Sequence, residues 1–446
     1  MKILNRRGPI VLFLGDLAAF SVSLWFALAF RYGSIPSSAL LRQHILPFSI
    51  LFIFWATAFF IAGLYEKHTL VFKGKLPALI LNTQVINSFI AVLFFYLVPF
   101  FGITPKTILA THLVFFSILI IFWRIVIVPR LGFRERESAI IIGAGSEMKE
   151  LLSEVNGNKG YNITFVSSVD LDQMEGIAFQ EEVIEQVYSE GVSSIVIDLK
   201  YEKSEKILAS FYNLIFSNVR FFDMHKVYEE VFDRIPFSLL EYNWFLENIS
   251  LSPHTMYDVL KRAMDIVIAG VLGIISLVLY PFVILAIKLE DGGPAFITQE
   301  RIGKGNRLMK LMKFRSMKKN DLGVWPTEGD VSITKVGGFL RKSRIDELPQ
   351  LWNVVKGDLS LIGPRPDIID LGKTLAKEIP YYTVRNLIKP GLSGWAQIKQ
   401  DLPPHSLAET KLRLSYDLYY IKNRSFVLDL TIALKTIKVL LSRKGL

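Results

Sequence analysis

Cysteine is absent from all 446 residues, which excludes disulfides, thiolate zinc sites and a cysteine nucleophile. Histidine is scarce too: six residues, at 44, 68, 112, 225, 254 and 405, with no close pair at ligand spacing. A metal partner is therefore expected to be a hard cation held by oxygen, magnesium before any other. No small-residue cleavage site follows the first apolar run, which is too long for a signal-peptide core, so that run is read as retained.

Apolar surface and positive charge are what the chain has in plenty. Hydrophobic residues make up 51%, the mean hydropathy is +0.37, and 51 Lys and Arg face 41 Asp and Glu, for a formal charge of +10. An ordinary soluble enzyme is less apolar than this. Basic and apolar residues together suit a membrane protein that meets anionic lipid headgroups or phosphorylated substrates. Nucleic-acid binding would use the charge but would leave the long apolar runs unexplained, so no nucleic-acid partner is expected.

Four such runs fill the first 130 residues, at Pro9 to Phe30, Ile45 to Leu64, Ala78 to Phe101 and Lys106 to Val128. Each has about 20 residues or more, enough to cross the hydrocarbon core as a helix. Lys2, Arg6 and Arg7 precede the first, Lys67, Lys73 and Lys75 separate the second from the third, and Arg130, Arg134 and Arg136 follow the fourth. The opposite side has mainly Arg31, Arg42 and Lys106, so both ends of the bundle are expected in the cytoplasm. Asp16, within the first run, is either functional or paired inside the bundle.

From 137 to 250 the pattern changes. ESAIIIGAG reads as a buried strand entering a glycine turn, SEMKELLSEV as a helix, and NITFVSSVD, SSIVIDLK and NVRFFDM as further strands. This alternation predicts a small parallel α/β, Rossmann-like domain. Gly143 and Gly145 start a dinucleotide fingerprint, but Met148 stands where the third glycine belongs, which favours a structural or regulatory role over nucleotide binding. A fifth apolar segment runs from Ala263 to Leu289 with Pro281 well inside it and Lys261, Arg262 and Lys288 at its ends. Proline breaks a helix, and basic flanks on both sides suit a broken helix that enters and leaves by one membrane face.

In LMKLMKFRSM the strand period puts Lys313 and Arg315 on one face and Phe314 on the other, two cations suited to phosphate oxygens. The densest segment is FLRKSRIDELPQLWNVVKGDLSLIGPRPD, residues 339–367. A helix is expected to start close to Asp346, because Pro349 is tolerated only in a first turn. Asp346 and Glu347 would then lie at its positive end. Alone, such a pair reads as a helix cap and a favourable first-turn acid. The surrounding cations reverse that reading: Arg341 lies five residues upstream, and Arg365 is held between Pro364 and Pro366. Acids and arginines together suit phosphoryl transfer, with an aspartate attacking phosphorus and a glutamate holding magnesium.

From Lys261 onward the chain resembles the bacterial sugar transferases, or polyprenyl-phosphate sugar-1-phosphate transferases. The resemblance rests on KRAMD, DGGPAFITQERIGKG, KFRSM, LRKSRIDELPQLWNVVKGDLSLIGPRP, KPGLSGWAQIK and YDLYYIKNRSFVLDL, six motifs in order. Four helices and a Rossmann-like domain ahead of them are similar to the long form. The resemblance implies transfer of sugar 1-phosphate from a UDP-sugar to undecaprenyl phosphate with release of UMP, through a covalent aspartyl-phosphosugar intermediate. It implies a first membrane step of exopolysaccharide, capsule or O-antigen synthesis at the bacterial inner membrane, with the catalytic domain cytoplasmic.

It makes Asp346 the nucleophile, Glu347 the magnesium ligand, and Arg341 and Arg365 phosphate-binding groups; Lys313 and Arg315 on the strand face, with Gln299 and Arg301, complete the expected substrate- and phosphate-binding set. The family's membrane hairpin turns at a Ser-Pro pair; here Tyr280 precedes Pro281, so the proline is kept and the serine is not. The expected architecture is a membrane protein of α and α/β class. It has a four-helix transmembrane bundle over 1–130 and a Rossmann-like domain over 137–250, a reasonable surface for a homodimer. A mostly helical catalytic domain follows over 255–446, with its re-entrant membrane helix at 263–289. A membrane-bound nucleotide-sugar dehydratase or epimerase would need Tyr-x-x-x-Lys; beyond the glycine turn that spacing occurs only from Tyr257 to Lys261, beside the hairpin. A scaffold without activity would not need the dyad and its arginines.

Overall fold

The four apolar runs form four helices that are each long and apolar enough to cross a membrane. These are α1 (Arg7–Tyr32), α2 (Ser38–Ala62), α3 (Leu76–Leu97) and α4 (Lys106–Phe122), the last continuing through a π-helical turn at Trp123–Ile127. The chain is accordingly a multi-pass membrane protein. This computed structural model describes residues 7–65, 76–98, 106–130, 136–158, 161–173, 185, 189, 191–201, 219–249, 255–317, 333–400 and 402–442. Lys2, Arg6, Lys67, Lys73, Lys75 and Arg134, on which the orientation partly rests, lie outside them.

Polarity in the bundle is inverted relative to a water-soluble fold. Asp16, Asn87 and His112 are fully buried, whereas Val85 and Phe89 on α3 are about 70% exposed. Phe48, Trp55 and Phe116 fill the centre around His112, whose Nδ1 lies 2.9 Å from the Ser23 hydroxyl. Asp16 has a structural partner: Arg124 in the π-helical turn donates from Nε to its Oδ1 at 3.1 Å and from Nη2 to its Oδ2. Tyr65 donates to the same carboxylate at 2.8 Å, and Arg124 Nη1 donates to the Leu64 carbonyl at 2.7 Å. Gly15 permits this approach of α1 and α4, since a Cβ there would lie 1.8 Å from the Trp123 ring.

The middle segment forms a four-stranded parallel sheet in the order β2-β1-β3-β4, from β1 (Glu137–Gly143), β2 (Ile163–Asp170), β3 (Ser194–Ile197) and β4 (Arg220–Asp223). The helix α5 (Gly145–Gly157) follows β1. The helices expected between β2 and β4 fall mostly outside the described residues. Gly145 adopts φ +78°, and the space beside Gly143 is taken by Met224, whose sulfur would lie 2.7 Å from an added Cβ. Each glycine thus has a local steric reason to be there.

The chain divides into two compact units, Met1–Val231 and Phe232–Leu446. The segment after α6 (Met224–Phe232), read from sequence as the end of the middle domain, packs in the second unit. Ile235, Leu239, Leu240 and Trp244 join Ile379, Tyr382, Trp395, Leu414 and Leu418 in one apolar core. That unit opens with α7 (Thr255–Ser276) and α8 (Tyr280–Asp291), bent by 56° at a three-residue break. Pro281 lies in the first turn of α8, where its missing N–H costs nothing. The hydroxyl of Ser276 donates to the Gly273 carbonyl at 2.7 Å, so a serine does sit at the break, four residues ahead of Tyr280. The outer faces stay apolar: Val267, Ile274, Val278, Phe282 and Leu289 are all exposed.

Beyond the break come an antiparallel hairpin, β5 (Phe296–Ile302) with β6 (Leu308–Phe314), then α9 (Lys335–Lys342), α10 (Gln350–Lys356) and β7 (Ser360–Ile362). The unit ends with α11 (Ile369–Glu378), β8 (Gly391–Ser393), α12 (Leu407–Lys422) and α13 (Phe426–Ser442). β7 and β8 pair in parallel. Their glycines serve this contact, for a Cβ on Gly391 would lie 2.1 Å from the Gly363 nitrogen.

Breaking a buried ion pair by removing one member costs about 3–5 kcal/mol, since the other charge is left uncompensated. Asp16→Ala is expected to lower the thermal unfolding midpoint of the detergent-solubilised chain sharply. Asp16→Leu combined with Arg124→Leu is expected to restore most of the loss, which differential scanning calorimetry would measure.

Candidate active site

Asp346 and Glu347 occupy a single 3-10 turn, Ile345–Glu347, and the helix α10 begins only after Pro349. The sequence pattern predicts a helix start close to Asp346, with the dyad inside its first turn. The difference arises at Arg344, whose left-handed φ of 58° ends α9 and sets up a separate tight turn. The Glu347 and Leu348 amides donate within that turn to the carbonyls of Arg344 and Ile345, each at 3.2 Å. The carboxylates therefore precede a short helix instead of opening a long one.

Three cations converge on one oxygen of Glu347. Arg365 Nη2 donates to Oε1 at 2.9 Å, and Lys313 Nζ and Arg344 Nη1 approach the same atom at 3.7 Å. Burial alone would raise this carboxyl, but Arg365, Lys313 and Arg344 together outweigh it and hold the pKa down at about 2. Asp346 behaves in the opposite way. Burial first, and then the Glu347 charge, push it up to about 6 against the pull of Lys313, Arg341 and Arg344. Its Oδ1 is buried without a hydrogen-bond partner. One carboxylate is saturated with positive charge, and its neighbour is held in reserve.

The predicted site residues divide by placement. Lys313 reaches the dyad from β6. Arg315 lies just past the end of that strand, packed on Gly293, where an added Cβ would meet its guanidinium at 1.4 Å. Between them Phe314 is fully buried and stacked on Phe296. Arg341 donates to the Met317 sulfur at 3.2 Å, and its charge acts on Asp346. Gln299 and Arg301, one strand period apart on β5, bond each other at 2.5 Å, and Arg301 Nη1 reaches the Pro366 carbonyl at 3.4 Å. Pro281 starts α8, remote in sequence, but the far end of α8 touches the site's scaffold. Glu290 accepts from the Lys335 and Val336 amides at 2.6 and 3.1 Å, capping the helix that carries Arg341.

Two contributors went unread in the sequence. Arg344 stands two residues before Asp346, and counting every cation beside the dyad would have included it. Arg385 has no local signal at all. Fully buried, it donates to Asp417 from Nε at 3.0 Å, to the Arg365 carbonyl from Nη2 at 2.9 Å, and to Asp367. Tyr382 closes the network through a 2.8 Å bond from Arg385 Nη1 and its own 2.9 Å bond to Asp367. Arg385 thus clamps the Pro364–Asp367 loop from behind and fixes where Arg365 points.

The chain carrying this dyad is similar to known proteins. The family model described as bacterial sugar transferase matches residues 256–443. A UDP-N-acetylgalactosamine-undecaprenyl-phosphate N-acetylgalactosaminephosphotransferase of Aeromonas hydrophila is 43% identical over 203 residues, 44% of this chain and 47% of that one. A UDP-glucose:undecaprenyl-phosphate glucose-1-phosphate transferase of Escherichia coli K12 is 38% identical over 182 residues, 40% of this chain and 39% of its own length. The chain thus spans under half the length of these two relatives. A UDP-galactose-lipid carrier transferase of Erwinia amylovora is 30% identical over 341 residues, covering 70% of this chain and 69% of that protein. With the family model across its second unit and a relative matched over most of both lengths, this chain belongs to the bacterial sugar transferase family.

Proposed function

We propose that this protein transfers a sugar 1-phosphate from a UDP-sugar to undecaprenyl phosphate and releases UMP, with Asp346 as nucleophile. The observation that carries this reading is the split dyad: a buried, unpartnered Asp346 oxygen beside a glutamate held by three cations. With a pKa of about 6, Asp346 is mainly a carboxylate at neutral pH, as attack requires. Asp346 forms a bond to the sugar-bearing phosphorus while the bond from that phosphorus to the bridging oxygen breaks, and UMP leaves with the electron pair. The phosphate oxygen of undecaprenyl phosphate then attacks the same phosphorus and restores the Asp346 carboxylate. Lys313, Arg344 and Arg365 stabilise the diphosphate charge, and Arg385 keeps Arg365 in place.

The dyad fits magnesium. All three cations approach Glu347 at Oε1, and Asp346 Oδ1 has no partner, so each residue has an oxygen to offer. No three acids or histidines converge among the described residues, which suits an ion held by one or two carboxylates and completed by substrate phosphates. Bound there, it would neutralise diphosphate charge. The three relatives are named for three different sugars. The shared core therefore reads as serving the diphosphate and the lipid phosphate, with the sugar ring recognised elsewhere.

The bent pair α7 and α8 is read as a re-entrant hairpin, which keeps the second unit in the cytoplasm at the inner membrane, where UDP-sugars are made. The 56° bend and the exposed apolar faces support this. Such a placement suits the first membrane step of exopolysaccharide, capsule or O-antigen synthesis.

Membranes given UDP-sugar, magnesium and undecaprenyl phosphate are expected to release UMP. Asp346→Asn is expected to cut the rate by about a thousandfold or more; release at the wild-type rate would remove Asp346 as nucleophile. Arg344→Ala is expected to cost about 10–100-fold, in the range of lost supporting contacts at a charged site. For the hairpin, single cysteines at the exposed positions Asn243 and Lys373 of this cysteine-free chain are both expected to react with impermeant thiol reagent only from the cytoplasmic side. Labelling from opposite sides would mean a full fifth span.

A further inference from the structure

Behind α10 lies a cavity of about 300 Å³ that the reaction above does not use. Five cations line it, Lys261, Arg262, Lys304, Lys389 and Arg424, against two acids, Asp258 and Asp265. One of the acids and two of the cations are accounted for. Asp265 accepts from the Ser360 hydroxyl at 2.8 Å and the Leu361 amide at 3.0 Å, and Lys261 pairs with buried Asp429 at 2.8 Å. Arg262 donates to the Val354 and Val355 carbonyls at 2.7 and 2.6 Å, at the negative end of α10. Gly357 follows that end at φ +101°, and a Cβ there would lie 3.3 Å from Arg262 Nη2 and 3.7 Å from Lys389 Nζ.

Lys304 and Lys389 have no such anchor, and the Arg424 guanidinium lies only over the Tyr257 ring, 6.0 Å from its centroid. No hydrogen bond or ion pair to the Lys304 or Lys389 side chain is found among the described residues, and Arg424 Nε is buried without a hydrogen-bond partner. Burial first, then Arg262 and Lys304, depress the Lys389 pKa against the opposing pull of Asp265 and Asp358. An anion entering among these cations would relieve their mutual repulsion.

The cavity is separate from the dyad. Asp346 and Glu347 precede the first turn of α10, whereas Arg262 grips its last carbonyls, and seven helical residues span about 10 Å. The cavity also opens where apolar surface begins. On α7 the exposed Ile266 and Val267 lie one turn beyond Arg262, and on α13 the exposed Phe426 and Val427 follow two and three residues after Arg424. Cations at such a boundary face lipid phosphates.

We propose that this cavity is a second phosphate site, distinct from the dyad, in which Lys304, Lys389 and Arg424 hold the phosphate of a membrane-lipid headgroup or a free phosphate anion. The proposal does not depend on the reaction assigned above.

Hydrogen–deuterium exchange on the full chain in uncharged detergent tests it, with inorganic phosphate and phosphatidylglycerol as separate probes and chloride at equal ionic strength as baseline. A probe is expected to protect residues 258–262, 304–307 and 387–391. Protection by both probes identifies a general phosphate site; protection by phosphatidylglycerol alone identifies a headgroup site. Lys304→Gln with Lys389→Gln is expected to abolish the protection. Lys373→Gln with Lys377→Gln, which removes the same charge from α11, is expected to keep it. Should the first double variant not fold, the single changes carry the test, each with reduced protection. No protection by either probe, or protection unchanged by the cavity variants, would overturn the proposal.

Discussion

A single carboxylate oxygen, Oε1 of Glu347, holds the candidate site together. Arg365 bonds it at 2.9 Å while Lys313 and Arg344 stand 3.7 Å away. These cations come from a loop, a strand and the residue that ends α9, so one atom ties three parts of the second unit. Partly buried like charges repel unless an anion sits among them. With that anion fixed at a pKa of about 2, the neighbouring Asp346 is pushed up to about 6, and the two carboxylates take on different characters.

What surrounds the dyad is arranged to keep that geometry. Arg385, buried among Asp417, Asp367 and Tyr382, holds the Arg365 backbone. Close contact between Gly363 and Gly391 lets β7 and β8 bring the same loop against the core. Gly337 lets α9 pack on the chain after β6, where a Cβ would lie 2.0 Å from the Ser316 carbonyl. The bent helix pair contributes through Glu290, at the end of α8, which caps α9. The bent helix pair and the candidate site are thus mechanically joined within the second unit.

The bundle solves a related problem by different means. A charge in an apolar interior is tolerated when it is paired and its remaining polar atoms are bonded. Asp16 satisfies this with Arg124 and Tyr65, at a point where Gly15 and the π-helical turn let two helices come close. In both units a buried carboxylate organises arginine around itself. In the bundle the pair is closed, and at the dyad one carboxylate oxygen is left over.

Read alone, the sequence determined the features that depend on local pattern. Run length and hydropathy marked the four helices, Pro281 marked the break, strand period marked β6, and the density of acids and arginines marked residues 339–367. Only the tertiary structure decided which cations reach the dyad. Lys313 and Arg315 look equivalent on a strand, yet the strand ends at Phe314, and Arg315 turns to Gly293 while Lys313 meets Glu347. Arg344 needed a left-handed turn that no proline or glycine announces. Arg385 and Asp417 lie 32 residues apart, and Asp16 and Arg124 lie 108 apart. Such pairs carry no periodicity, because the burial that makes each charge need its partner exists only once the chain has folded.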